Sequence, residues 1–101
     1  GKLILGSVAK TDSEEMTKLM AILKEKKFKS MRTWVANNIA AGSSQIFSDF
    51  YHMANTYVKD ASIPNLVLLL NQYQYNDAFV ADHELNLVAC FTEVIATVDF
   101  K

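Results

Sequence analysis

Cysteine, proline and glycine are all scarce in this chain: one, one and three respectively among 101 residues. A single thiol, Cys90, cannot form an intrachain disulfide, so the fold is not a disulfide framework. With so few breakers, long helices are permitted almost everywhere. Apolar and polar residues do not alternate strictly over any useful length, which argues against a sheet. No apolar run approaches the ~18 residues of a membrane helix; the longest covers residues 66–70. No secretory signal pattern opens the chain. Excess charge of one sign is missing too: ten basic residues face eleven acidic ones, a net charge of −1. That balance argues against a domain-wide polycation built for nucleic acid. What is present is 50% apolar and 21% charged, enough for a single core and one domain. The expected product is a soluble protein of the cytoplasm with no membrane contact. The chain begins Gly1-Lys2 rather than with Met, which reads as a protease scar on a piece of a longer protein.

The punctuation predicts an all-α bundle of about five helices joined by short loops. Residues 2–9, apolar at Leu3, Ile4, Leu5 and Val8, form a short strand or an extended lead-in. Helix 1 starts within residues 11–13, where Thr11 with Glu14, or Asp12 with Glu15, fits a capping box. Its stripe is Met16, Leu19, Met20 and Leu23, and Lys24, Lys26 and Lys27 sit in its last turn. Helix 2 covers about 29–40 with the stripe Met31, Trp34, Val35 and Ile39; Phe28 packs at its entrance and Gly42 ends it in the left-handed conformation. Ser43 or Ser44 caps helix 3, which runs to about residue 58 with Phe47, Phe50, Tyr51, Ala54 and Val58 on one face. Ser62 caps helix 4, with Pro64 in its first turn, and the helix reaches about residue 79. Asp82 caps helix 5, which reaches about residue 98. It offers two faces: Leu85, Val88, Ala89 and Thr92, or Leu87, Phe91, Val94 and Val98. The expected core is Met16, Leu19, Leu23, Trp34, Val35, Phe47, Tyr51, Leu66, Leu69, Leu85 and Ala89.

Catalytic patterns are lacking. His83-Glu84 opens like the zinc motif HExxH, but Leu87 occupies the second histidine position. His52 and His83 have no cysteine pair to join them in a metal site. Cys90 sits among Val88, Ala89 and Phe91 and reads as a core thiol. There is no GxSxG and no GxxxxGK[ST]. No catalytic residue, metal or cofactor is expected in this chain.

Helix 4 is the unusual element. Leu66, Val67, Leu68, Leu69 and Leu70 follow one another, and at about 100° per residue they cover every side of a helix. Two readings stay open. Helix 4 is central and wrapped by its neighbours, or one side meets the domain and the other meets a partner subunit. For the second reading the candidate interface residues are Val67, Leu68, Tyr73, Tyr75 and Phe79, the last three continuing the helix as aromatics of the kind enriched at interfaces. Asn86, polar in an apolar run, needs a hydrogen-bond partner across a helix boundary.

Charge is uneven along the chain. From residue 18 to 32 six basic residues face Glu25 alone; from 33 onward two basic residues face seven acids. Phosphates against Lys24, Lys26, Lys27, Lys29 and Arg32 would make a nucleic-acid-binding helical domain. A solvated helix end whose lysines complement the dipole explains the same residues.

The string Ser62-Ile63-Pro64, Tyr73-Gln74-Tyr75, Ala78-Phe79-Val80-Ala81-Asp82, Glu84-Leu85-Asn86-Leu87, Ala89 and Cys90 resembles the C-terminal domain of sliding-clamp-loader small subunits of the replication factor C type. Phe28-Lys29 to Trp34-Val35 is similar to an F-K-x-x-R-x-W stretch of that domain. The ending Asp99-Phe100-Lys101 looks like the phage branch, which implies a host-cell cytoplasm. The resemblance implies a helical collar over residues 11–101, with residues 1–10 as scar and lid-to-collar connection. It implies partners that are other copies of the small subunit and a distinct clamp-loader subunit. ATP, magnesium, DNA and the sliding clamp belong, on the same resemblance, to an AAA+ ATPase module outside this chain.

Overall fold

A computed structural model describes residues 13–101. The capping boxes at Thr11 and Asp12, the lead-in at 2–9 and the scar at Gly1-Lys2 lie outside the described residues. Five helices follow one another: α1 (Ser13–Lys24), α2 (Phe28–Asn38), α3 (Ser43–Tyr57), α4 (Ile63–Asp77) and α5 (His83–Thr97). Single 3₁₀ turns, Ile39–Ala41 and Asp60–Ser62, precede α3 and α4. No strand occurs among the described residues; one bridge pairs Val58 with Phe100.

The central helix is α5, not α4: it packs against all four others. Its Leu87, Cys90, Phe91 and Val94 are buried. The Phe91 ring meets Trp34 of α2 edge-on at 6.5 Å and Phe50 of α3 at 5.2 Å. Around it lie Met16, Leu19, Met20 and Leu23 of α1, Met31 and Val35 of α2, Ile46, Phe47 and Ala54 of α3, and Leu66, Leu69 and Leu70 of α4. Buried Trp34 keeps its indole N–H satisfied by donating to the Glu15 carbonyl at 2.9 Å.

Two expected core residues are on the surface. Leu85 is 64% exposed. It lies about 160° around α5 from Leu87, and the Leu87–Phe91–Val94 stripe is the one that faces inward. Tyr51 is half exposed because the inward stripe of α3 is centred on Phe50 and takes in Ile46, leaving Tyr51 about 100° to one side. Ala89 is only half-buried.

Helix ends differ in instructive ways. Asp82 caps α5 as expected, accepting from the Leu85 N–H at 3.1 Å. Ser62 precedes α4, but its side chain makes no cap; its hydroxyl accepts from the Asp99 N–H at 3.0 Å. That bond belongs to a strap in which Lys59 donates to the Asp99 carbonyl and Lys101 to the Tyr57 carbonyl, each at 2.9 Å. Neither Ser43 nor Ser44 precedes α3; Gly42 does, with φ 98° and ψ 135°. Its φ is positive as expected, but its extended ψ lies in a region essentially open to glycine alone. Helix α1 stops at Lys24, three residues short. Lys27 donates to the Ile22 carbonyl and Lys26 to the Leu23 carbonyl, with Lys26 at φ 59° in the left-handed position. This is a Schellman ending with a lysine where glycine is usual.

Candidate association surface

Because α5 takes the centre, α4 is an outer helix with one face left over. Leu66, Leu69 and Leu70 point inward, and Asp77 continues that side. The opposite side carries Leu68 (71% exposed) and Tyr75 (68%), and Phe79 (73%), in the turn that follows the helix, extends it. Leu68, Gln72, Tyr75 and Phe79 recur at spacings of four, three and four, so they form one stripe. The Tyr75 and Phe79 rings touch at 5.3 Å between centroids. Between Ser62 and Ala81 the only charged residue is Asp77, and it is buried. The outward face is therefore uncharged, made of apolar side chains and the amides Asn71, Gln72 and Gln74. On its α3 side an open groove of about 260 Å³ is lined by Phe47, Ser48, Tyr51, Val67, Leu70, Asn71 and Gln74, again without a charge. Depletion of charge together with exposed aromatics is the composition of an interface centre, not of an ordinary solvated helix.

Four of the five candidate interface residues, Val67, Leu68, Tyr75 and Phe79, are thus exposed. Tyr73 is corrected: it packs half-buried against the core, and its hydroxyl donates to Glu93 of α5 at 2.8 Å. That bond to Glu93, aided by partial burial, pushes the Tyr73 phenol up to about 12. Tyr73 fastens α4 to α5 and is turned away from the stripe.

Asp77 was missed from sequence. Its carboxylate accepts from Ser43 Oγ at 2.5 Å and from Asn86 Nδ2 at 3.2 Å, and its Oδ1 lies 2.8 Å from His83 Nδ1. Ser43 opens α3 and His83 opens α5, so a negative charge sits where two positive helix ends converge. Burial pushes this carboxyl up, but the bonds from Ser43, His83 and Asn86 outweigh it and hold the group below its usual range. Asn86 also donates to the Tyr73 carbonyl at 3.0 Å, the cross-helix partner that its position required. A lone acid in an otherwise uncharged stretch was the available signal.

The basic stretch is dispersed. Lys27 pairs with Glu25 at 2.9 Å, and Lys26 reaches the Ile95 carbonyl at 3.4 Å. Lys29 and Arg32 border a shallow groove that also contains Glu84. Cys90 is fully buried, and burial pushes its thiol well above the ordinary range, as in a packing residue. Among the described residues no group of His, Cys, Asp and Glu could hold a metal ion, and no helix is long and apolar enough to cross a membrane. No protein-family model matches this chain, and no curated protein matches it.

Proposed function

We propose that this domain is an association module that joins copies of its own protein, in the manner of the clamp-loader collar its sequence resembles. The observation that carries the reading is the uncharged outward face of α4, with Leu68, Tyr75 and Phe79 each about seven-tenths exposed. Water contact with that much apolar surface is unfavourable by roughly 25 cal/mol per Å², and association removes it. On this reading the domain performs no chemistry. It holds its attached modules side by side with a second type of subunit in a ring for loading a sliding clamp, while ATP and magnesium are bound elsewhere in the full protein. The geometry gives the nucleic-acid alternative less support, since the basic side chains of residues 24–32 are spread over a helix end, a turn and the α2 surface. Sedimentation velocity over a concentration series is the test: the weight-average mass should climb with concentration and fall back on dilution. A strictly monomeric particle at millimolar concentration would overturn the reading.

A further inference from the structure

If copies meet through the α4 stripe, as the association reading on which this inference rests requires, the charge beside the stripe matters because the stripe itself has none. One titratable cluster adjoins it. Residues 78–82 link α4 to α5 and carry exposed Phe79, whose ring touches Tyr75 at 5.3 Å. A clasp closes the link at its two ends: the Nδ1 of His83, the first residue of α5, lies 2.8 Å from Oδ1 of Asp77, the last residue of α4. Ser43 and Asn86 also donate to Asp77, and together these bonds hold its carboxyl below the usual range. An ionised carboxylate only accepts, so the imidazole donates from Nδ1. That N–H is present in the neutral and in the protonated ring alike. The clasp therefore persists in both states, while the half-exposed ring gains or loses one positive charge at Nε2.

The other charges around His83 come from each neighbouring element. Its own end of α5 brings Glu84 and the cap Asp82, both exposed, and α4 brings Asp77. Helix α2 brings Lys29 and Arg32, which share with Glu84 the grooves on that side. Helix α3 brings neutral Ser43; its titratable residues, Asp49 and His52, lie farther along, and Asp49 accepts from Gln45. Helix α1 is anchored at the opposite end of α5, where Lys26 donates to the Ile95 carbonyl. Three acids thus face two bases, leaving one negative charge uncompensated while His83 is neutral and none once it is protonated. We infer that His83 is a pH-responsive element of the association face: its protonation removes the uncompensated negative charge beside Phe79 and tightens the meeting of copies, and its deprotonation loosens it. Two copies that bring the same excess charge to one junction repel each other, and neutral ones do not.

The test compares the wild-type chain with His83→Gln, His83→Lys and His52→Gln by sedimentation velocity, at about pH 5.5 and about pH 7.5 and at low salt. Dichroism melts check that each variant stays folded, and either His83 variant carries the test if the other unfolds. Wild type should associate roughly two- to tenfold more tightly at the lower pH. Salt at about 0.5 M should erase most of that difference. His83→Gln should keep the weaker affinity at both pH values, and His83→Lys, whose cation is permanent, the tighter one. His52→Gln should respond as wild type does. A full response in a His83 variant, loss of the response in His52→Gln, or a wild type that associates equally at both pH values overturns the inference while the association reading stands. A wild type that associates at neither pH removes that reading, and the inference with it.

Discussion

Asp77 shows how one residue can join three helix ends. Removing its carboxylate with Asp77→Ala takes the acceptor from Ser43 and half-exposed His83 and leaves Asn86 only the Tyr73 carbonyl. The expected cost is about 2–3 kcal/mol, read from denaturant midpoints. The pH dependence has a definite sign. The native carboxyl lies below 3.8, its ordinary value, so its contribution is fully present above that value and is lost as pH falls through the lowered native one. The stability gap between wild type and Asp77→Asn should therefore be widest at neutral pH and close on the acid side of pH 3.8. A gap that is constant down to pH 2 would remove the electrostatic account. Lys26 makes the opposite kind of prediction. At φ 59° it has a conformation that glycine adopts without strain, and its exposed ammonium donates a long 3.4 Å bond to the Ile95 carbonyl. Lys26→Gly should stabilise the protein by about 1 kcal/mol, seen as a higher urea midpoint with an unchanged slope.

Among the elements, α4 and α5 look alike in composition but serve different ends. Both carry apolar residues on more than one side. Helix α5 spends them on its neighbours, with Phe91 between Trp34 and Phe50. Helix α4 uses Leu66, Leu69 and Leu70 inward and leaves Leu68 and Tyr75 outside, with Phe79 of the following turn beside them. Tyr73 and Tyr75 are two residues apart, so they point to nearly opposite sides of the helix, and their substitutions should separate cleanly. Tyr75→Ala should leave the unfolding free energy of the monomer within about 0.5 kcal/mol while weakening association. Tyr73→Phe, by contrast, should cost about 0.5–1.5 kcal/mol of stability through the lost bond to Glu93 and leave association unchanged. Melts at low concentration and sedimentation at high concentration read the two effects independently.

For the molecule as a whole, binding that favours the folded state raises apparent stability by mass action, so the melting temperature should rise with protein concentration. In Phe79→Asp that slope should vanish. A wild-type melting temperature independent of concentration over two decades would count against coupled association. Much of the architecture was legible beforehand. Five helices in order, the inward stripes of α1 and α2, Asp82 as a cap and the need of Asn86 for a partner all follow from spacing, breakers and capping chemistry within a few residues. The places that were not legible share one cause. Leu85 and Leu87 are equally apolar, Tyr51 and Ile46 flank the same stripe, and Ser43 is as good a cap as any. Which side faces inward depends on what lies opposite, and that is set by residues far along the chain. Local chemistry placed the helices; only their packing around α5 turned the surplus apolar side of α4 outward and drew Ser43, His83 and Asn86 onto Asp77, because burial is a property of neighbours and a linear order of residues does not specify them.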